Sequence, residues 1–151
     1  MASGKTTIGR LLAHELGWYF ADLDDDIEAQ RGMTIGEIFK QHGEREFREA
    51  EKEALRKRVR MVQAGRPHVV ALGGGTFAQP QNIEILTDNG VTVWLDLPLD
   101  TVRHRLDGCE HRPLARDSPR MEELFEDRRQ SYAKADFRVA IDSDDPAVTV
   151  A

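Results

Sequence analysis

At 151 residues and 17.1 kDa, the chain has the size of one domain, taken here as 1–151, and is long enough to bury a single substantial core. A formal net charge of -6 and a pI near 5.4 argue against a nucleic-acid binder, so any anion site must be local. Cys109 is the only cysteine, which excludes an intrachain disulfide and a cysteine-based zinc site; no apolar run approaches the roughly 20 residues of a membrane span, and a cytoplasmic protein without membrane contact is expected.

The chain opens on Ala2-Ser3-Gly4-Lys5-Thr6-Thr7, the tail of a phosphate-binding loop. The full pattern is Gly, four residues, then Gly-Lys and Ser or Thr. Its backbone N–H groups wrap phosphates, its Lys reaches the terminal oxygens and its hydroxyl holds magnesium. Gly4, Lys5 and Thr6 are present, whereas the first glycine would fall two residues before Met1 and the strand that launches the loop further upstream. The first strand therefore reads as missing. Ile8, Leu11, Leu12 and Leu16 follow at helical spacing, which predicts a helix over 5–16 and puts the loop at its N-terminus, where free N–H groups attract anions.

A short strand is expected at 18–21, delivering Asp22 and Asp24 to a strand end, with Asp25 and Asp26 as solvated capping residues. Thr34-Ile-Gly-Glu37 is a capping box, so a helix carrying Ile35, Ile38 and Phe39 should start there and break near Gly43. Residues 44–61 read as a charged helix with Phe47, Ala50, Ala54 and Leu55 as its buried stripe. The apolar run 68–72 stops at Gly73-Gly74-Gly75 and suits a buried parallel strand. A helix over 81–88, a strand over 91–95 and a helix over 99–106 follow. Pro113 and Pro119 break regular structure in the Arg-rich stretch 107–120, which reads as a closing lid. A helix over 121–135, a strand over 137–141 and a helix opening at Pro146, incomplete at the chain end, finish an α/β domain with a parallel sheet.

In such a sheet ligands bind outside the carboxyl ends of the strands, where Asp22 and Asp24 fall. Arg48 and Glu51, three apart on a helix, could be a surface ion pair. Three consecutive glycines pack nothing, yet they let backbone approach a ligand closely at the end of a buried strand. An arginine on a lid can neutralise charge developing on a transferred group. The five histidines show no metal-ligand spacing.

Taken in order, Gly-Lys-Thr-Thr-Ile-Gly-Arg at 4–10, Asp-Leu-Asp at 22–24, Gly-Glu-Arg-Glu-Phe-Arg-Glu-Ala-Glu at 43–51, Leu-Gly-Gly-Gly at 72–75, Arg-Pro-Leu at 112–114 and Arg-Arg-Gln-Ser-Tyr with Ala-Asp at 128–136 resemble the shikimate kinases over essentially the whole chain. The resemblance implies a P-loop kinase fold of the nucleoside-monophosphate-kinase type, a three-layer sandwich with a mainly parallel five-stranded sheet, here lacking its first, normally central, strand. It implies ATP and shikimate as substrates, Mg2+ as cofactor and a monomer.

By the same resemblance, the loop 2–7 with Arg105, Arg112 and Pro146 binds ATP. Lys5 contacts the phosphates, and Thr6 coordinates magnesium with Asp22 in support. Asp24 binds the substrate hydroxyls and accepts the proton of the attacking one. Arg48 and Arg128 grip the shikimate carboxylate, Glu51 orients the substrate pocket, Gly74 with Gly73 and Gly75 gives a backbone contact, and Arg112 is the lid arginine. Lys5, Asp24 and Arg112 are the catalytic set. Arg129 rivals Arg128 in register. A gluconate-type kinase and a non-catalytic kinase-like module are the alternatives; Leu-Gly-Gly-Gly with 47–51 speaks against the first, and the presence of Lys5, Asp24 and Arg112 against the second.

Overall fold

The computed structural model describes residues 3–107 and 118–151. Helix α1 (Lys5–Leu16) leads to strand β1 (Tyr19–Asp22), α2 (Leu23–Arg31), α3 (Ile35–Gln63) and β2 (His68–Ala71); α4 (Pro80–Thr87), β3 (Val93–Asp96), α5 (Leu99–Asp107), α6 (Ser118–Tyr132), β4 (Phe137–Ala140) and α7 (Pro146–Val150) complete the order. The capping box at Thr34 is made in full, with the Thr34 side chain on the Glu37 N–H and the Glu37 carboxylate returning to the Thr34 N–H. The expected break at Gly43 is a kink within α3, where this residue takes φ 80° and ψ 176°. Helix α2 has no counterpart among the expected elements, β3 begins at Val93 and not at 91, and α6 begins at Ser118, inside the stretch assigned to a lid, with Pro119 in its first turn, where a missing N–H costs nothing.

Every strand pairing is parallel, Tyr19–Asp22 against His68–Ala71 and Val93–Asp96 against Phe137–Ala140. Among the described residues the strands form two separate pairs, not a continuous sheet. Between them, β2 and β3 border a cavity of about 610 Å³ whose lining is mostly apolar, including Leu12, Val69, Phe77, Trp94 and Tyr132. Among the described residues no strand lies between β2 and β3, and Ser3 stands at the margin of the slot that separates them.

The layers follow from the pleat. Gly9 of α1 lies against Phe20 and Val69, so close that a Cβ there would stand 2.8 Å from the Phe20 ring. The next residue, Val70, points the other way and packs with Leu23, Ile27, Ile38, Phe47, Ala54 and Leu55 of α2 and α3. A second apolar cluster, built on Ile8, Leu97, Val102 and Ile141, ties α1 and α5 to the β3–β4 pair. Helices thus cover both faces of the first pair, and the two clusters lie on either side of the slot. Phe39, carried by the segment that opens at the capping box, is 40 % exposed and lies against Phe47, which takes the core position. Among the described residues no helix is long and apolar enough to cross a membrane.

Candidate active site

At the N-terminus of α1, Gly4 adopts the left-handed conformation, φ 74° and ψ 21°, that turns the chain into the helix. This leaves the first-turn N–H groups of α1 without intrahelical partners. Thr6 lies in that first turn and its hydroxyl donates to Asp22 Oδ2 at 2.8 Å. Asp22 closes β1 and caps α2, its Oδ1 accepting from the Asp24 N–H at 3.1 Å. A hydroxyl and a carboxylate side by side at a phosphate-type helix terminus form a hard-oxygen donor pair. Such a pair fits Mg2+, which keeps most of its waters and takes few protein ligands. Among the described residues no cluster of three metal-ligating side chains occurs.

Beside this loop Ser3, Gly4, Thr7, Ile8, Ile141, Pro146 and Thr149 line a second cavity of about 270 Å³. Pro146 thus lies next to the loop, at the start of α7. Ala2 and Arg112 lie outside the described residues, as does the side chain of Arg105.

The three glycines after β2 form the other half of the site. The Thr76 N–H donates to Gly73 O at 3.1 Å, so Gly73 to Thr76 is a β-turn. Each glycine has one charged side chain pressed against the place a Cβ would occupy: Asp24 Oδ1 is 2.8 Å from that point at Gly73, Arg128 Nη1 is 2.8 Å from it at Gly74, and Arg48 Nη1 is 2.9 Å from it at Gly75. Residues from α2, α3 and α6 are brought together on one turn because that turn has no side chains to hold them off.

Arg48 donates to Glu51 Oε2 at 3.0 Å and to Glu44 at 3.2 Å, and its guanidinium lies 5.2 Å from the centre of the Phe47 ring. Glu51 is not on the surface: it is 1 % exposed and accepts at its other oxygen from the Thr76 hydroxyl at 2.6 Å. Asn82 in turn donates to Thr76 O at 3.1 Å. The i, i+3 pair is therefore an internal strut, held from below by two polar residues that no motif singled out. Thr76 carried a signal only in following the glycines closely, and Asn82, in the helix expected over 81–88, carried none.

Asp26, expected in solvent beside Asp25, is instead half-buried and paired with Arg58 of α3, whose Nε donates to it at 2.6 Å. Asp25 is exposed as expected. A second arginine cluster occupies the far side of α6. Asp96, buried at the end of β3, accepts from Arg129 at 3.4 Å and from Arg138 Nε at 2.8 Å, and both guanidiniums lie over Trp94 at 5.4 and 5.1 Å. Arg129 is thus held away from the glycine turn and Arg128 is against it. Tyr132, one helical turn beyond Arg128, donates its hydroxyl to Gly74 O at 2.6 Å. Burial raises the pKa of this phenol, with Arg128 pulling the other way, so it remains a proton donor well into the alkaline range.

An anchored anion loop, an oxygen pair suited to magnesium, and a carboxylate beside two guanidiniums together suit phosphoryl transfer to a small anionic acceptor. Known proteins agree. The family model described as "Shikimate kinase" matches residues 1–151. Shikimate kinase from Persephonella marina is 40 % identical over 147 residues, covering 97 % of this chain and 87 % of the relative. The crystal structure of shikimate kinase from Aquifex aeolicus superposes with a TM-score of 0.88 at 33 % identity, covering 99 % of this chain and 87 % of that one. The Acinetobacter baumannii shikimate kinase structure, in complex with shikimate, gives 0.88 at 32 %, covering 99 % and 84 %. The chain belongs to the shikimate kinase family.

Proposed function

We propose that this chain transfers the γ-phosphoryl group of ATP to the 3-hydroxyl of shikimate, giving shikimate 3-phosphate and ADP in aromatic amino-acid biosynthesis. The observation that carries the reading is the convergence of Asp24, Arg128 and Arg48 on Gly73, Gly74 and Gly75. Two guanidiniums on adjacent glycines suit a planar carboxylate, and the carboxylate on the third glycine suits a hydroxyl at the other end of a small ring.

Arg48 and Arg128 bind the shikimate carboxylate, with Glu51 holding Arg48 in place and the glycine backbone closing the contact. Asp24 accepts the proton of the 3-hydroxyl as that oxygen forms its bond to the γ-phosphorus. The bond from that phosphorus to the β–γ bridging oxygen breaks, and the bridging oxygen leaves with ADP. The loop 2–7 and Lys5 hold the ATP phosphates, with Pro146 and Arg105 beside the adenine and Arg112 neutralising the transferred group. Thr6 and Asp22 would hold Mg2+, which neutralises phosphate charge when bound. Catalysis comes mainly from positioning and charge neutralisation. The reading extends to a single cytoplasmic domain that acts as a monomer.

A coupled ADP-release assay tests it, with shikimate, gluconate and nucleoside monophosphates offered separately. Turnover is expected with shikimate alone. Turnover with gluconate in its place, or calorimetric binding of shikimate with no ADP formed, overturns the assignment.

A further inference from the structure

The turn from Gly73 to Thr76 has one peptide unit that its own hydrogen bond leaves unused, the central one joining Gly74 to Gly75. In any β-turn this unit can rotate by about half a turn, interconverting the type I and type II forms, and type II requires a positive φ at the third residue. Here the third residue is Gly75, which is not among the glycines of positive φ, so the turn is of type I. Nothing in a Gly-Gly pair prevents the other form, because glycine accepts positive φ without steric cost. Something outside the turn has to choose.

We propose that Tyr132 is a positioning residue that makes this choice: its hydroxyl, 2.6 Å from Gly74 O, holds the carbonyl of the central peptide toward α6. The peptide is planar and trans, so its C=O and N–H point opposite ways. Holding Gly74 O against the phenol therefore turns the Gly75 N–H away from α6, on the glycine that carries the Arg48 guanidinium. The flipped form would exchange that positive dipole end for a carbonyl oxygen, next to two guanidiniums that are to receive an anion. The lock is well mounted. Tyr132 rests near Phe77 and Trp94, at 6.4 and 6.2 Å between ring centres, and burial keeps its proton on. Because it lies one turn from Arg128, the same helix that supplies one charged partner of the acceptor also sets the backbone between the two.

The inference rests on the shikimate reading for its effect on substrate, while the lock can be read without substrate. The sequence contains only two Gly-Gly steps, 73–74 and 74–75. Labelling with [carbonyl-13C, 15N]glycine therefore gives two carbonyl-correlated amide signals, one from Gly74 and one from Gly75. In the unmodified chain the Gly75 signal should be single; two Gly75 signals in slow exchange would overturn the lock before any variant is made. In Tyr132→Phe the Gly75 signal should shift or double, with a smaller response at Gly74. The KM for shikimate should rise about three- to tenfold, as expected for losing one neutral hydrogen bond, with the KM for ATP within twofold of its original value. The methyl ester of shikimate, which lacks the anion, should show no such rise. An unmoved Gly75 signal in folded Tyr132→Phe, or equal increases in both KM values, refutes the proposal. Absence of shikimate turnover in the unmodified chain refutes the functional reading and leaves the Gly75 signals to decide the lock.

Discussion

Arg128 and Arg129 are neighbours in sequence that serve different partners: the first lies on Gly74, and the second donates to the buried Asp96 and covers Trp94. Successive helical residues are turned by about 100°, so one residue of register decides which arginine faces the glycine turn. Arg128→Ala should weaken shikimate binding by roughly tenfold to a hundredfold, the range for losing charge-assisted hydrogen bonds of about 1.5–3 kcal/mol, while the melting temperature changes little. Arg129→Ala should do the reverse. It loses about 1 kcal/mol of stability, because Asp96 keeps Arg138, and leaves shikimate affinity within twofold. Calorimetry and thermal melts on the two variants decide it, and exchanged phenotypes would place the carboxylate contact on Arg129.

The glycine turn makes a position-by-position prediction. A methyl group at 73 collides with Asp24, at 74 with Arg128 and at 75 with Arg48, and in each case the first contact is with a side-chain end, not with backbone. Such ends can move, so the fold should tolerate alanine while the displaced group should not function. Gly73→Ala should act mainly on kcat, by shifting Asp24, the proposed proton acceptor. Gly74→Ala and Gly75→Ala should act mainly on the KM for shikimate, each by tenfold or more on the order of one lost charged contact. Steady-state kinetics of the three variants check this, and three indistinguishable profiles would mean the turn moves as a whole.

Glu51 is an internal acid with an arginine on one oxygen and a hydroxyl on the other. Removing one member of a buried charged pair costs about 3–5 kcal/mol, less where a partner reaches solvent as Arg48 does. Glu51→Ala should thus lose roughly 3 kcal/mol in urea unfolding together with most shikimate affinity. Thr76→Val, which removes only the second contact, should lose about 1–2 kcal/mol and weaken shikimate binding less. A Thr76→Val chain of unchanged stability would show that Arg48 alone holds the acid.

These residues mark where sequence reading stops. Periodicity and punctuation located the other helices and the strands to within a few residues, since Gly4, Gly17 and Gly43 bend the chain where local chemistry requires, but missed α2, whose run of aspartates reads as a solvated cap and not as a helix. The charged members of the site were legible because a loop lysine, an acidic strand end and a glycine run each imply an anion or a close approach. Thr76, Asn82 and Tyr132 were not, because their roles depend on which backbone oxygen or carboxylate a distant segment brings within 3 Å. The residues alone left the burial of Glu51 open for the same reason: an i, i+3 ion pair looks identical in sequence whether its helix face meets water or a glycine turn. Asp26 looked like one more solvated aspartate until α3 supplied Arg58.

The slot between β2 and β3 is lined mostly by apolar side chains of the described residues, and exposed apolar surface binds apolar probes. Both tryptophans of the chain, Trp18 and Trp94, border it. An anilinonaphthalene dye should gain fluorescence on the folded protein and be excited by energy transfer from tryptophan. Trp94→Phe should reduce that transfer. Dye emission no greater than in buffer would show the slot to be closed in solution.

Asp136, just before β4, accepts from the Thr92 N–H at 2.7 Å and the Thr92 hydroxyl at 2.6 Å, and its own N–H donates back to that hydroxyl at 3.0 Å. These bonds hold its pKa below the usual 3.8, the Thr92 hydroxyl first and the Thr92 N–H second, against a small opposing effect of burial. A depressed acid binds its proton more weakly in the folded than in the unfolded chain. Its contribution is therefore present above about pH 4 and is lost as pH falls through the lower folded value. Thr92→Val removes the leading cause while leaving the strand pairing of Val93 with Phe137 in place. The urea midpoint of the original chain should exceed that of Thr92→Val at pH 7, and the gap should narrow as pH is lowered past 3.8. A gap that stays constant down to acid unfolding would mean that the Thr92 hydroxyl contributes through packing and not through the carboxylate.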